Sequence, residues 1–173
     1  MLNPKKMISY SDYKANLEII ISKLQRLGAE IILMSPPPAD STYLFERHDR
    51  NFFTDPPNAK LKSVREIMEA LALNQAVLFF DLFERFEELG LPSHNRDLFI
   101  KNVSNSSKSD GVHPTRLGYH FIAMNIFHFL LENKLVNEQT RIVCFGDSIT
   151  FGGGDTYKWN YPNLLKQMFE TVY

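Results

Sequence analysis

A single cysteine, Cys144, among 173 residues leaves no room for an internal disulfide framework or a cysteine-based zinc site. Long hydrophobic runs are missing too. The apolar stretches are short and broken by polar residues, far below the ~20 residues that cross a bilayer, so no membrane span is expected. Charge of one sign is also lacking. Lys and Arg number 19 against 20 Asp and Glu, a net charge of −1, and no nucleic-acid partner is expected from so balanced a surface. No internal repeat occurs, and the one polar tract is 102–110 (NVSNSSKSD). The opening run MLNPKKMISYSDY carries charge but no apolar segment, so no secretory signal is expected and the expected location is the cytoplasm. What remains is ordinary: 44% hydrophobic, 23% charged and 13% aromatic residues, which excludes disorder, collagen and coiled coil as the main state. The length suits one domain, 1–173.

Periodicity then places the elements. Ser9 with Asp12 three residues later marks a helix start, and Tyr13, Leu17, Ile20, Ile21, Leu24 and Leu27 follow at helical spacing, with Gly28 just past the end. Residues 30–35 (EIILMS) read as a strand apolar on both faces, stopped by Pro36, Pro37 and Pro38, as suits the middle of a parallel sheet. A polar loop with Asp40, His48, Asp49 and Asp55 precedes a helix over 58–73. A second strand is expected at 76–82 (AVLFFDL), a helix over 115–132, a third strand at 141–145 (RIVCF) and a last helix over 161–171. Strands alternating with helices predict an α/β fold with a mainly parallel sheet and right-handed crossovers.

Ligands of such sheets bind at the C-terminal ends of strands, and two motifs fall there. Gly146-Asp147-Ser148 follows RIVCF. Glycine permits a tight turn, and a serine on that turn can project its hydroxyl into a crevice near free backbone N–H groups. Asp110-Gly111-Val112-His113-Pro114 leads into the 115–132 helix. An Asp and a His three apart let the carboxylate bond one ring nitrogen and leave the other free as a base, while Pro114 stiffens the chain and Thr115 can cap the helix. Read alone, the first motif is equally a plain turn of small residues, and the second is usually only a turn with a solvated histidine that gains weight through a partner nucleophile. Gly152, Gly153 and Gly154 could cradle an anion, but no Lys follows them as a phosphate-binding loop requires.

The other candidates point to structure. His120 and His128 lie eight apart on one helix with no carboxylate pair to complete a metal site, and His94 lies in a polar loop. His48 could line a cleft, since its loop leaves a strand end. Cys144, inside an apolar strand, reads as a small buried filler. Phe79, Phe80, Phe121 and Phe127 stand at core spacings. Trp159 and Tyr157 could wall a sugar site, and Trp159 is equally a packing anchor for the last helix.

GDSIT after a short apolar strand and DGVHPTRLGYHFIA before a helix together resemble the SGNH, or GDSL-type, hydrolases. The stretch YKANLEIIISKLQRLGAEIILMSPPP is similar to that family's helix and strand before its substrate loop. The resemblance implies a three-layer α/β/α, flavodoxin-like fold. It also implies hydrolysis of small acyl esters through an acyl-serine intermediate, without metal or organic cofactor. It makes Ser148 the nucleophile, His113 the base and Asp110 its partner, with the Ser148 N–H, Gly146 and Asp147 at the oxyanion and binding site. Likeness of GDSIT, YPNLL and DGVHP to carbohydrate acetylesterases implies an acetylated sugar as substrate. In such an enzyme the rate should rise as the imidazole loses its proton.

The block order is that of a circular permutation. Residues 1–132 match the family's C-terminal portion, 133–140 form the joint, and 141–173 match the N-terminal portion with its GDS. The family's Gly block and Gly-x-Asn-Asp block have no counterpart, and Asn3 is not assigned to the latter. Two oxyanion donors and the second and third strands are thus unaccounted for, so self-association or a complementing chain is expected. The alternative is a catalytically impaired or incomplete chain of the same ancestry acting as a binding or assembly module. A nucleotide-binding protein using the 152–154 glycines is a third reading.

Overall fold

Ser9 starts the first helix as its spacing predicts: its Oγ accepts the Asp12 N–H at 3.1 Å, and α1 runs Tyr10–Arg26. Gly28, at φ +75°, takes the chain out in a left-handed turn that a glycine adopts without steric cost. These and all other positions come from a computed structural model that describes residues 8–153 and 159–172. The chain divides into two compact units, Met1–Gly90 and Leu91–Tyr173.

In the first unit β1 (Ile32–Met34) is followed by α2 (Ser41–Arg47), a 3-10 turn (Arg50–Phe52), α3 (Pro57–Gln75), β2 (Leu78–Phe80) and α4 (Leu82–Glu87). The two strands pair in parallel, Ile32 with Leu78, Leu33 with Phe79 and Met34 with Phe80. A parallel pair needs a long crossover, and here the chain runs from Met34 to Leu78 through α2 and α3. Both ladders are shorter than the apolar runs 30–35 and 76–82. Ile21, Ile31, Leu33, Met68, Leu71 and Ala72 form the core here, with Tyr13, Leu17, Val64, Ile67, Val77 and Phe79 packed against it. At the C-terminal strand ends, buried Ser35 donates to Asp81 Oδ1 at 2.9 Å, and Arg65 pairs with the same carboxylate. That arrangement joins β1, β2 and α3 and holds the Asp81 carboxyl below its ordinary value: burial pushes it up, but the Arg65 bond, the Glu84 N–H and Ser35 together outweigh it.

The second unit is helical: α5 (Val103–Ser106), α6 (Arg116–Glu132), α7 (Ser148–Phe151) and α8 (Tyr161–Val172). Thr115 caps α6, its Oγ1 accepting the Gly118 N–H at 3.1 Å. α6 and α8 pack together. Tyr119, Ile122, Ala123 and Leu130 are buried on the first, Tyr161, Leu164 and Leu165 on the second, and Phe127 meets Phe169 at 4.8 Å between ring centroids.

The whole is therefore mixed α/β and mostly helical. The expected third strand at 141–145 does not pair: among the described residues the sheet has two strands, β1 and β2. Val143 and Phe145 are 86% and 87% exposed. A strand is stable through its ladder, which the apolar composition of RIVCF cannot supply by itself. Cys144 is accordingly half-buried rather than enclosed in a sheet.

Candidate active site

The DGVHP loop is built by its own side chains. Asp110 Oδ1 accepts the N–H groups of Val112 at 2.9 Å and His113 at 2.8 Å, a local turn that brings the imidazole round to the same carboxylate. Gly111, at φ +73°, supplies the left-handed residue that this turn requires. His113 Nδ1 then donates to Asp110 Oδ2 at 2.9 Å. Burial alone would raise the Asp110 carboxyl. The ring bond from His113 and the two backbone N–H groups outweigh it and hold the group down at about 2. Asp110 is thus ionised throughout the neutral range, which fixes the proton on Nδ1 and leaves Nε2 as the acceptor.

A segment that looked irregular in sequence holds this loop in place. Ile100 and Pro114 form an antiparallel bridge, with Lys101 N–H to His113 O at 2.9 Å, Thr115 N–H to Phe99 O at 2.8 Å and Gly111 N–H to Lys101 O at 2.8 Å. Asp97 fixes the bridge in turn, its Oδ1 accepting the N–H groups of Phe99 and Ile100. Asn102 and Asn105 form a reciprocal capping box at α5, and their amides donate to the carbonyls of Asp97 and Ile100. These three polar residues escaped the sequence reading. Their signal was an Asp and two Asn at short spacing in a stretch without hydrophobic period, which composition alone marks only as loop.

Ser148 arrives from the other motif, 35 residues away, with Oγ 3.0 Å from His113 Nε2. It is the first residue of the one-turn α7. Asp147 caps that turn, its carboxylate engaged by the Ile149 N–H at 2.9 Å. Gly146 allows close approach, because a β-carbon there would overlap Thr150 Oγ1. Gly152 and Gly153 both donate to Ser148 O, and Gly153 lies so close to the imidazole that a β-carbon would fall 2.7 Å from His113 Cδ2. Ser148 itself is exposed, and its N–H has no acceptor among the described residues. The result is a continuous carboxylate–imidazole–hydroxyl relay within one unit, capable of taking a proton from the serine hydroxyl.

The remaining candidates that are described have other neighbours. His48 ends α2 in the first unit, beside Phe53. His94 bonds Asn95, and His128 meets the Phe127 ring edge to face. Trp159 carries the Arg116 guanidinium 4.5 Å from its ring centroid and His120 at 6.2 Å, which is a packed arrangement and not a bare platform. Tyr157, Gly154 and Asn3 lie outside the described residues. Cys144 adjoins Tyr161; burial pushes its thiol up, against the hydrogen bond with that phenol. Among the described residues no cluster of three or more metal-ligating side chains occurs. No family model, curated protein or solved structure matches this chain.

Proposed function

We propose that this chain is a serine hydrolase of SGNH type that cleaves small acyl esters through an acyl-serine intermediate. The reading rests on one observation above all, the Asp110–His113–Ser148 relay with successive distances of 2.9 and 3.0 Å. In the proposed reaction Ser148 Oγ attacks the ester carbonyl carbon while its proton passes to His113 Nε2, and Asp110 stabilises the imidazolium. The tetrahedral oxyanion meets the Ser148 N–H. Collapse breaks the bond to the alcohol oxygen, which takes the proton from Nε2. Water then attacks the acyl-serine, gives its proton to Nε2, and the acid leaves as Ser148 is regenerated. The exposure of Ser148 gives substrate direct access. The parallel β1–β2 pair corresponds, on this reading, to the fourth and fifth strands of a three-layer flavodoxin-like sheet.

A second reading is favoured by a different observation. The 141–146 backbone carries no ladder, and one candidate oxyanion donor is visible where the loss of a single donor costs about 10²–10³ in turnover. That fits a catalytically impaired chain that acts as a binding or assembly module, or one completed by self-association or a complementing chain. Fluorophosphonate labelling of the purified chain, mapped by peptide mass, separates the two. A single adduct on Ser148 that is lost in Ser148→Ala supports the hydrolase. A folded chain that takes no adduct supports the module. A screen of acetylated sugars and simple acyl esters then identifies the substrate.

A further inference from the structure

Lys101 is the one buried lysine among the described residues of the second unit, 5% exposed, in a segment that carries none of the motif residues. Its main chain and its side chain reach different halves of the relay. The Lys101 N–H donates to His113 O at 2.9 Å and its carbonyl accepts the Gly111 N–H at 2.8 Å, so the backbone of Lys101 brackets the DGVHP loop. Its ammonium extends the other way and donates to Gly153 O at 3.4 Å. Gly153 belongs to the turn that follows the serine. Its N–H bonds Ser148 O, and a β-carbon on it would run into the His113 ring.

We propose that Lys101 is a positioning residue that clamps the Gly152–Gly153 turn to the His113 loop and thereby sets the Ser148–His113 distance. The physical case is one of span. The two relay halves are 35 residues apart in sequence, α7 is a single turn, and one turn of helix has little stability of its own. Asn160 Nδ2 donates to Phe151 O and Thr150 Oγ1 meets the Tyr161 hydroxyl, both at 3.0 Å, which ties the turn to α8. Lys101 adds a tie on the side of the imidazole loop, and a displacement of about 1 Å at a nucleophile–base pair can cost ~10² in rate. At 3.4 Å the attraction is that of a charge for a carbonyl dipole more than of a short hydrogen bond, and burial shields it from competing water. Gly153 has no side chain through which the turn could be held, and none would fit beside His113.

The catalytic part of this inference rests on the hydrolase reading, whereas the clamp itself does not. The test therefore pairs a structural with a chemical readout in the full chain, comparing wild type, Lys101→Met and Lys101→Arg. Amide hydrogen exchange of 149–153 is measured relative to that of the α6 interior. In Lys101→Met the ratio should rise about tenfold, as local opening without global loss demands, and Lys101→Arg should restore it. An unchanged ratio overturns the clamp. So does an equal rise in both segments, because Lys101 would then support the whole unit and not the turn. If Lys101→Met does not fold, Lys101→Gln is judged by the same ratio. Fluorophosphonate labelling of Ser148 should slow by about the same factor in the Met variant and recover in Lys101→Arg, which restores a cation on the Gly153 carbonyl. Full-rate labelling despite faster exchange, or slowed labelling that Lys101→Arg does not restore, overturns the positioning role. A wild-type chain that takes no label defeats the hydrolase reading and leaves the exchange ratio to decide the clamp.

Discussion

Exchanging Asp110 for asparagine separates the chemistry of the relay from its geometry. Asparagine keeps an oxygen for the Val112 and His113 N–H groups, so the turn can persist. Its amide, however, presents N–H to His113 Nδ1 in place of a carboxylate oxygen. The imidazole then carries its proton on Nε2, facing Ser148, and cannot act as base. The equivalent change in a Ser-His-Asp enzyme costs about 10⁴ in kcat, or ~5.5 kcal/mol of transition-state stabilisation. A stability effect accompanies it, with a definite sign. Asp110 lies at about 2 in the folded chain, against ~3.9 for an unperturbed aspartate, and its side chain is 19% exposed. Because the folded value is depressed, the stabilisation is fully present above the unfolded value and is lost as pH falls through the folded one. The shift corresponds to about 2 kcal/mol, most of it lost between roughly pH 5 and pH 2. Urea melts of wild type and Asp110→Asn across that window share every other carboxylate, so their difference isolates this one. Wild type should lose about 2 kcal/mol more than the variant on acidification, and the variant's Ser148 labelling should fall by ~10³ or more at neutral pH. Parallel acid curves together with labelling within tenfold of wild type would refute the reasoning.

Three further outcomes follow from other parts of the molecule. Gly153→Ala places a methyl group against His113 Cδ2 and should cut Ser148 labelling by about 10²-fold with the urea midpoint little changed; unaltered labelling kinetics would show that the imidazole has room to move. Asn102, 1% exposed, donates to the Asp97 and Ile100 carbonyls and accepts the Asn105 N–H. Asn102→Ala removes the cap of the Asn105 N–H, while the Asp97 and Ile100 carbonyls keep their bonds from the Asn105 amide. It should cost ~1–2 kcal/mol in denaturant melts, and a loss below ~0.5 kcal/mol, the scale of an ordinary surface change, would contradict that role. Exposed Val143 and Phe145 on a segment without ladder partners favour association through an apolar patch. Light scattering should therefore show self-association that the double change Val143→Lys, Phe145→Lys reduces, and a wild-type monomer at every concentration tested would remove the basis for it.

What the sequence determined alone is what depends on neighbours within a few residues. Helix periods and caps are of this kind, so Ser9 and Thr115 cap α1 and α6 where their spacing put them. So is the Asp110–His113 bond: three residues and a glycine at positive φ suffice to close it, and no distant segment is needed. The parallel pair β1–β2 lay within reach as well, because an all-apolar run followed by helix and a second such run has few other ways to bury itself. Tertiary structure alone decided the rest. Whether 141–145 forms a strand depends on ladder partners elsewhere in the chain or outside it, so its β-rich composition misled. The meeting of Ser148 with His113 spans 35 residues and is fixed by packing of the second unit, not by either motif. The polar framework of Asp97, Lys101, Asn102 and Asn105 has no hydrophobic period to announce it. Its residues bond backbone groups that only the fold brings near, and a sequence lists donors and acceptors without saying which of them will be left to find each other once water is gone.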